Sequence, residues 1–117
     1  MTKFGSWEEV VAFALTLPGT ELSTSWGSPA VKVAANGRAF LYTGREPDSF
    51  VLAIDQDSKL ILLETDPDTY WQTPHYEGWD GVLVRFASDD PERVASMIER
   101  ARDEAAAKKP PRARKGK

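Results

Sequence analysis

The side chains able to do chemistry are few, and the most informative of them sit together. Tyr70 to Trp79, reading Tyr-Trp-Gln-Thr-Pro-His-Tyr-Glu-Gly-Trp, hold the only histidine, two of the four tryptophans and two of the three tyrosines. His75 is therefore the one imidazole that could act as a general base or a metal ligand. A single histidine makes no His-cluster metal site, and the sequence places no nucleophile or acid beside it. Lodged between Pro74 and Tyr76, the ring is expected to bond to the backbone and hold a turn. No catalytic residue, metal or cofactor is expected.

The other candidates have simpler uses. Glu8-Glu9, Asp66 with Asp68, and Asp89-Asp90 could suggest acid–base work, but all fall at expected helix starts, where acids cap and offset the dipole. Asp55-Gln56-Asp57 lacks the glycine and distal glutamate of a calcium loop. Gly27-Ser28-Pro29 lacks the second glycine of a nucleophile elbow and reads as a turn. The absence of cysteine excludes disulfides, cysteine-ligated zinc, iron–sulfur clusters and thiol catalysis.

Charge is unevenly spread. The net charge is −3, but Lys108, Lys109, Arg112, Arg114, Lys115 and Lys117 fall within ten residues that hold no acid. Taking these six from 15 basic residues leaves nine against 18 acids in residues 1–107. The body is thus near −9 and repels phosphate at long range, while the +6 tail attracts it. In the body, Lys32 and Arg38 at a hairpin, Arg45 in a loop and Arg85 on the last strand are the candidates for phosphate contact. Each taken singly is explained as well by solubility. Trp26, Trp71, Trp79, Tyr42, Tyr70 and Tyr76 could stack on bases, although core packing is the use expected for most of them.

The elements that position these groups follow from local patterns. Ser6-Trp7-Glu8-Glu9 is a capping box. Trp7, Val10, Val11, Ala14 and Leu17 then mark one helical face, stopped by Leu17-Pro18-Gly19. Strands are expected over Glu21–Trp26, Val31–Val33, Arg38–Thr43 and Phe50–Ile54. A tight two-residue hairpin is expected at Asn36-Gly37, and a meander is the simplest connection. Leu60 to Leu63 read as a short helix capped by Asp55 or Asp57, and Asp66-Pro67-Asp68 as a further helical turn. Gly81–Phe86 is the last strand. Asp89-Asp90-Pro91-Glu92 opens a long helix with Val94, Met97, Ile98, Ala101 and Ala105 inward. Pro110-Pro111 ends it, and the basic residues beyond are expected to be disordered.

The fold class expected is α+β: an antiparallel sheet with two long helices packed on one face. Residues 1–107 form the domain and 108–117 a basic tail. The opening residues contain no apolar signal stretch and no run is long enough for a bilayer, so a cytoplasmic location and no membrane partner are the expectations.

The same residues resemble the MmcQ/YjbR family over roughly Trp7 to Ala106. The resemblance is carried by Leu17-Pro18-Gly19, then Trp26-Gly27-Ser28-Pro29 with Val31-Lys32-Val33. Asn36-Gly37-Arg38 follows, and finally Pro74-His75-Tyr76-Glu77-Gly78-Trp79. It implies a frataxin-like (CyaY-like) α/β sandwich. Members are commonly named DNA-binding, because the fold is compared with a double-wing DNA-binding arrangement; that is fold analogy. The acidic body and the added basic tail depart from the family core. Two binding readings follow. One is a non-catalytic DNA-binding protein, weak and salt-dependent, with hairpin and tail on phosphates. The other is a protein- or small-ligand-interaction domain that uses the open sheet face and the aromatic segment. An enzyme is the least supported class.

Overall fold

The structure, a computed structural model, describes residues 4–25, 27–86 and 88–108. Trp26 and the tail cations Lys109, Arg112, Arg114, Lys115 and Lys117 lie outside the described residues, as does the expectation of a disordered tail.

Helix α1, Trp7–Ala14, starts where Ser6 accepts from the Glu9 amide at 3.3 Å. The reciprocal half of the capping box is displaced by one residue: the Glu9 carboxylate takes the Gly5 amide at 2.8 Å. Strands β1 (Thr20–Ser25), β2 (Ser28–Val33), β3 (Arg38–Thr43) and β4 (Ser49–Ala53) form the expected meander. Helix α2 spans Gln56–Thr65, strand β5 Tyr70–Trp71, strand β6 Gly81–Arg85, and helix α3 Pro91–Ala106. All strand pairs are antiparallel, in the order β1-β2-β3-β4-β6-β5.

Helix α3 lies across β2, β3 and β4 and touches α1. Val94, Ile98, Ala101 and Ala105 are buried in one core with Val10, Ala14, Val31, Phe40, Phe50 and Leu52. Burial of this kind stabilises by roughly 25 cal/mol per Å² of apolar surface.

Several expectations are corrected. Only α3 is long, at 16 residues; α1 has eight and closes at Ala14 rather than Leu17. Val11 is half-buried rather than enclosed. The turn is not Gly27-Ser28-Pro29: Ser25 pairs with Ser28, so Pro29 stands inside β2. It precedes the start of β2–β3 pairing at Ala30, where a missing N–H interrupts no bond of that ladder. The Asn36-Gly37 loop holds four residues, because Val33 pairs with Arg38. Gly37 takes φ +71°, which glycine tolerates, while the Asn36 side chain is used elsewhere. Asp66-Pro67-Asp68 opens no helix: Asp66 closes α2, and the chain turns into β5. That sixth strand begins the aromatic segment, which pairs with β6 before it turns.

Candidate functional site

Between β5 and β6 the aromatic segment makes a 3-10 turn at Pro74–Tyr76, and Gly78 at φ +77° reverses the chain toward Trp79. The anchor of this loop was not legible in the sequence. Lys59 on α2 is 1% exposed. Its ammonium donates to the carbonyls of Tyr76 at 2.7 Å and Trp79 at 2.8 Å. Burial lowers its pKa, against the opposing charges of Asp80 and Glu77. The helix thus turns Lys59 and Leu62 inward and leaves Leu60 and Ile61 more than half exposed. The only trace in the sequence is that Lys59 stands three residues before Leu62, one helical turn apart.

The Trp79 indole lies over Gly81, where an added Cβ would run into the ring. From Trp79 the rings continue in both directions. Tyr42 lies 6.2 Å away between centroids, Tyr76 5.6 Å, and His75 5.1 Å beyond Tyr76. Each end of this chain of rings opens on a cleft.

The first cleft, about 330 Å³, lies where α3 ends. It is lined by Arg38 and Tyr42 of β3, Trp79 and Asp80 of the loop, and Glu104 and Lys108. Its polar groups are largely engaged. Glu104 accepts from the Asp55 amide at 3.1 Å and from Arg100 at 3.1 Å. Asp80 accepts from Gln56 at 3.0 Å, and the Tyr42 hydroxyl donates to Ala39 at 3.3 Å. Burial raises the Tyr42 pKa, partly offset by the Arg38 charge. Asp55 and Glu104 titrate as neighbours. Hydrogen bonding to Glu104 and to Ser58, with the Arg100 charge, holds Asp55 well below the usual carboxylate range. Burial and the Asp55 contact push Glu104 up.

Asn36 bonds to three residues that line this cleft. Its amide nitrogen donates to the Ala105 carbonyl at 2.7 Å and the Lys108 carbonyl at 3.0 Å, and its amide oxygen accepts from the Arg38 N–H at 3.0 Å. One side chain therefore satisfies open carbonyls at the end of α3 and ties the β2–β3 loop to them.

The second cleft, about 350 Å³, is lined by Arg45, Glu46, Thr73, Pro74, His75 and Tyr76. His75 is exposed and makes no side-chain hydrogen bond among the described residues. The expectation that its ring bonds to the backbone and holds the turn is corrected. Backbone bonds hold that turn, Tyr76 N–H to Thr73 at 2.9 Å and Trp79 N–H to Tyr76 at 3.1 Å, together with Lys59.

The remaining candidates separate. Arg85 is engaged within the fold. It stacks 4.7 Å from the Trp71 ring centroid, donates to the Asp68 carbonyl at 3.1 Å and lies 3.6 Å from Asp48. Lys32 stands in register opposite Glu21. Tyr70 is a core residue, 1% exposed, with its pKa pushed up to about 12 mainly by burial. Among the described residues the candidate cations do not share one cleft: Arg38 and Lys108 line the first, Arg45 lines the second, and Lys32 and Arg85 line neither. Among the described residues no group of three or more acids and His75 could hold a metal ion, and no helix is long and apolar enough to cross a membrane.

Residues 15–104 match the model of the YjbR family. An uncharacterised protein of Mycobacterium bovis and two of Mycobacterium tuberculosis are each 31% identical over 81 residues, which cover 66% of this chain. The chain spans 61% of the length of each of these relatives. No solved structure matches.

Proposed function

The chain belongs to the YjbR family, that is, the MmcQ/YjbR family, and from that premise we propose a non-catalytic DNA-binding protein that contacts phosphates with its β2–β3 hairpin and its basic tail. The observation that carries this reading is the Asn36 bridge. It joins the hairpin loop to the end of α3, where Arg38 and Lys108, the first cation of the basic run, line one cleft. Six positive charges within ten residues of sequence attract a phosphate backbone, while the acidic body opposes it at long range. Affinity is therefore weak and strongly dependent on salt. Arg85, already engaged, has no part in it, and Lys32 and Arg45 have at most a minor one.

In layers, we read the fold as a CyaY-like α/β sandwich with α1 and α3 on one face of the sheet. The contact of α1 with α3 and the core they share support this. An interaction domain using the aromatic segment is the second reading. It is favoured by Trp79, a residue 42% exposed, and by the cleft beside His75.

The test is a titration of a labelled DNA duplex with the full chain and with residues 1–107, at about 50 and 200 mM salt. Six neutralised phosphates give a slope of log affinity against log salt of at most about −5, and removal of the tail should make binding hard to detect. Tight, weakly salt-dependent binding by residues 1–107 would mean that the body itself carries the nucleic-acid site. Absence of binding by the full chain at low salt would refute the DNA reading.

A further inference from the structure

Three clefts among the described residues differ in what their polar groups lack. The groove between α1 and β1, about 650 Å³, is lined mainly by Trp7, Val11, Leu22 and Pro29, and nothing in the structure indicates its occupant. In the cleft at the end of α3, Glu104, Asp80 and Tyr42 already have partners. In the cleft beside His75 they do not. Among the described residues, the Arg45 guanidinium, the Glu46 carboxylate, the Thr73 hydroxyl and the His75 imidazole make no hydrogen bond or ion pair. Arg45 and Glu46 are adjacent in sequence and of opposite charge, yet they do not pair with each other.

That arrangement limits the ligand. A guanidinium offers a fork of donors suited to a carboxylate. A simple anion would meet the Glu46 charge in the same cleft, and a simple cation would meet Arg45. A molecule carrying both charges satisfies both. Pro74 and Tyr76 line the cleft with apolar surface, and Thr73 and His75 supply further hydrogen-bonding groups that can fix orientation. The volume of about 350 Å³ lies at the small end of ligand sites, roughly 300–1,000 Å³, and suits one small molecule rather than a polymer.

We infer that the cleft formed by Arg45, Glu46, Thr73, Pro74, His75 and Tyr76 binds a small zwitterion with an apolar side chain, of the α-amino-acid class. Its carboxylate lies on Arg45, its ammonium on Glu46 and its side chain against Pro74 and Tyr76. This deepens the second reading and is independent of DNA binding, since neither Lys108 nor the tail takes part.

The sole imidazole provides the readout. The His75 ring-proton resonances of the full chain are followed by NMR as four probes are added separately: L-phenylalanine, N-acetyl-L-phenylalanine, L-phenylalaninamide and inorganic phosphate. L-phenylalanine should give a saturable shift with an affinity of about 1 mM, near −4 kcal/mol. The acetylated and amidated forms, each lacking one charge, should bind at least about tenfold more weakly. Arg45→Ala should abolish the shift. Glu46→Gln should remove the preference for L-phenylalanine over its acetylated form. Both substitutions are on an exposed loop, and unchanged tryptophan fluorescence would establish that they fold. No saturable shift with L-phenylalanine up to about 20 mM, some twentyfold above the expected affinity, would overturn the inference. Equal response to phosphate and to the acetylated form would also overturn it, by making the cleft an anion site. A shift that survives Arg45→Ala would place the ligand elsewhere. Loss of DNA binding in the duplex titration would leave this result unaffected, so the two readings fail separately.

Discussion

The two clefts at the ends of the Tyr42–Trp79–Tyr76–His75 chain of rings are similar in volume and opposite in electrostatic condition. At the end of α3, Glu104 is held between the Asp55 amide and Arg100, and Asn36 closes the helix end. At the other end, the side chains of Arg45, Glu46 and His75 line a cleft of nearly the same volume and make no hydrogen bond or ion pair among the described residues. Polar groups already bonded to each other stabilise the fold and gain little from a ligand. Groups left to water keep their bonding capacity for one. The first cleft is therefore a joint between hairpin and helix, and the second is the receptor in the inference proposed above. Both depend on the same support, because Lys59 holds the carbonyls of Tyr76 and Trp79 together.

That shared support gives the largest expected effect. Lys59→Ala removes two charge-assisted hydrogen bonds and leaves a buried void, and should cost about 2–4 kcal/mol in a denaturant unfolding experiment. It should disturb Trp79 emission and the His75 resonances together. Disturbance of one alone would show that the clefts are supported separately.

Asn36→Ala should be smaller and one-sided. It removes the bonds to Ala105, Lys108 and Arg38 and should cost about 1–2 kcal/mol. It should weaken DNA binding while leaving the L-phenylalanine response at His75 intact. An equal loss at both ends would contradict the division into joint and receptor.

His75→Ala should be smallest, within about 0.5 kcal/mol of the parent, as for an exposed side chain without bonds. A loss near 1 kcal/mol or more would restore the imidazole to a structural role and remove the receptor reading from that side chain.

Much of the frame was readable beforehand, for a local reason. The helix caps at Ser6, Asp55 and Asp90 lie within three residues of the amides they satisfy, so residue type and spacing reveal them. The meander followed from alternation and short turns. The errors arose where a residue type has two uses. Asn36 suits a tight hairpin, but its amide was taken by a helix end 69 residues away. Arg85 suits phosphate, yet Trp71 and the Asp68 carbonyl claim it.

By itself the sequence determined the family, the antiparallel α+β frame, the position of most elements and the division of charge between body and tail, because those depend on composition and on neighbours within a turn. Only the tertiary structure decided that β5 adds a sixth strand against β6, that Lys59 anchors a loop 17 and 20 residues away, and that Arg45 and His75 share one cleft. These are contacts between distant residues. They are fixed by which buried donors and acceptors find each other when the sheet closes, and no local pattern records that competition.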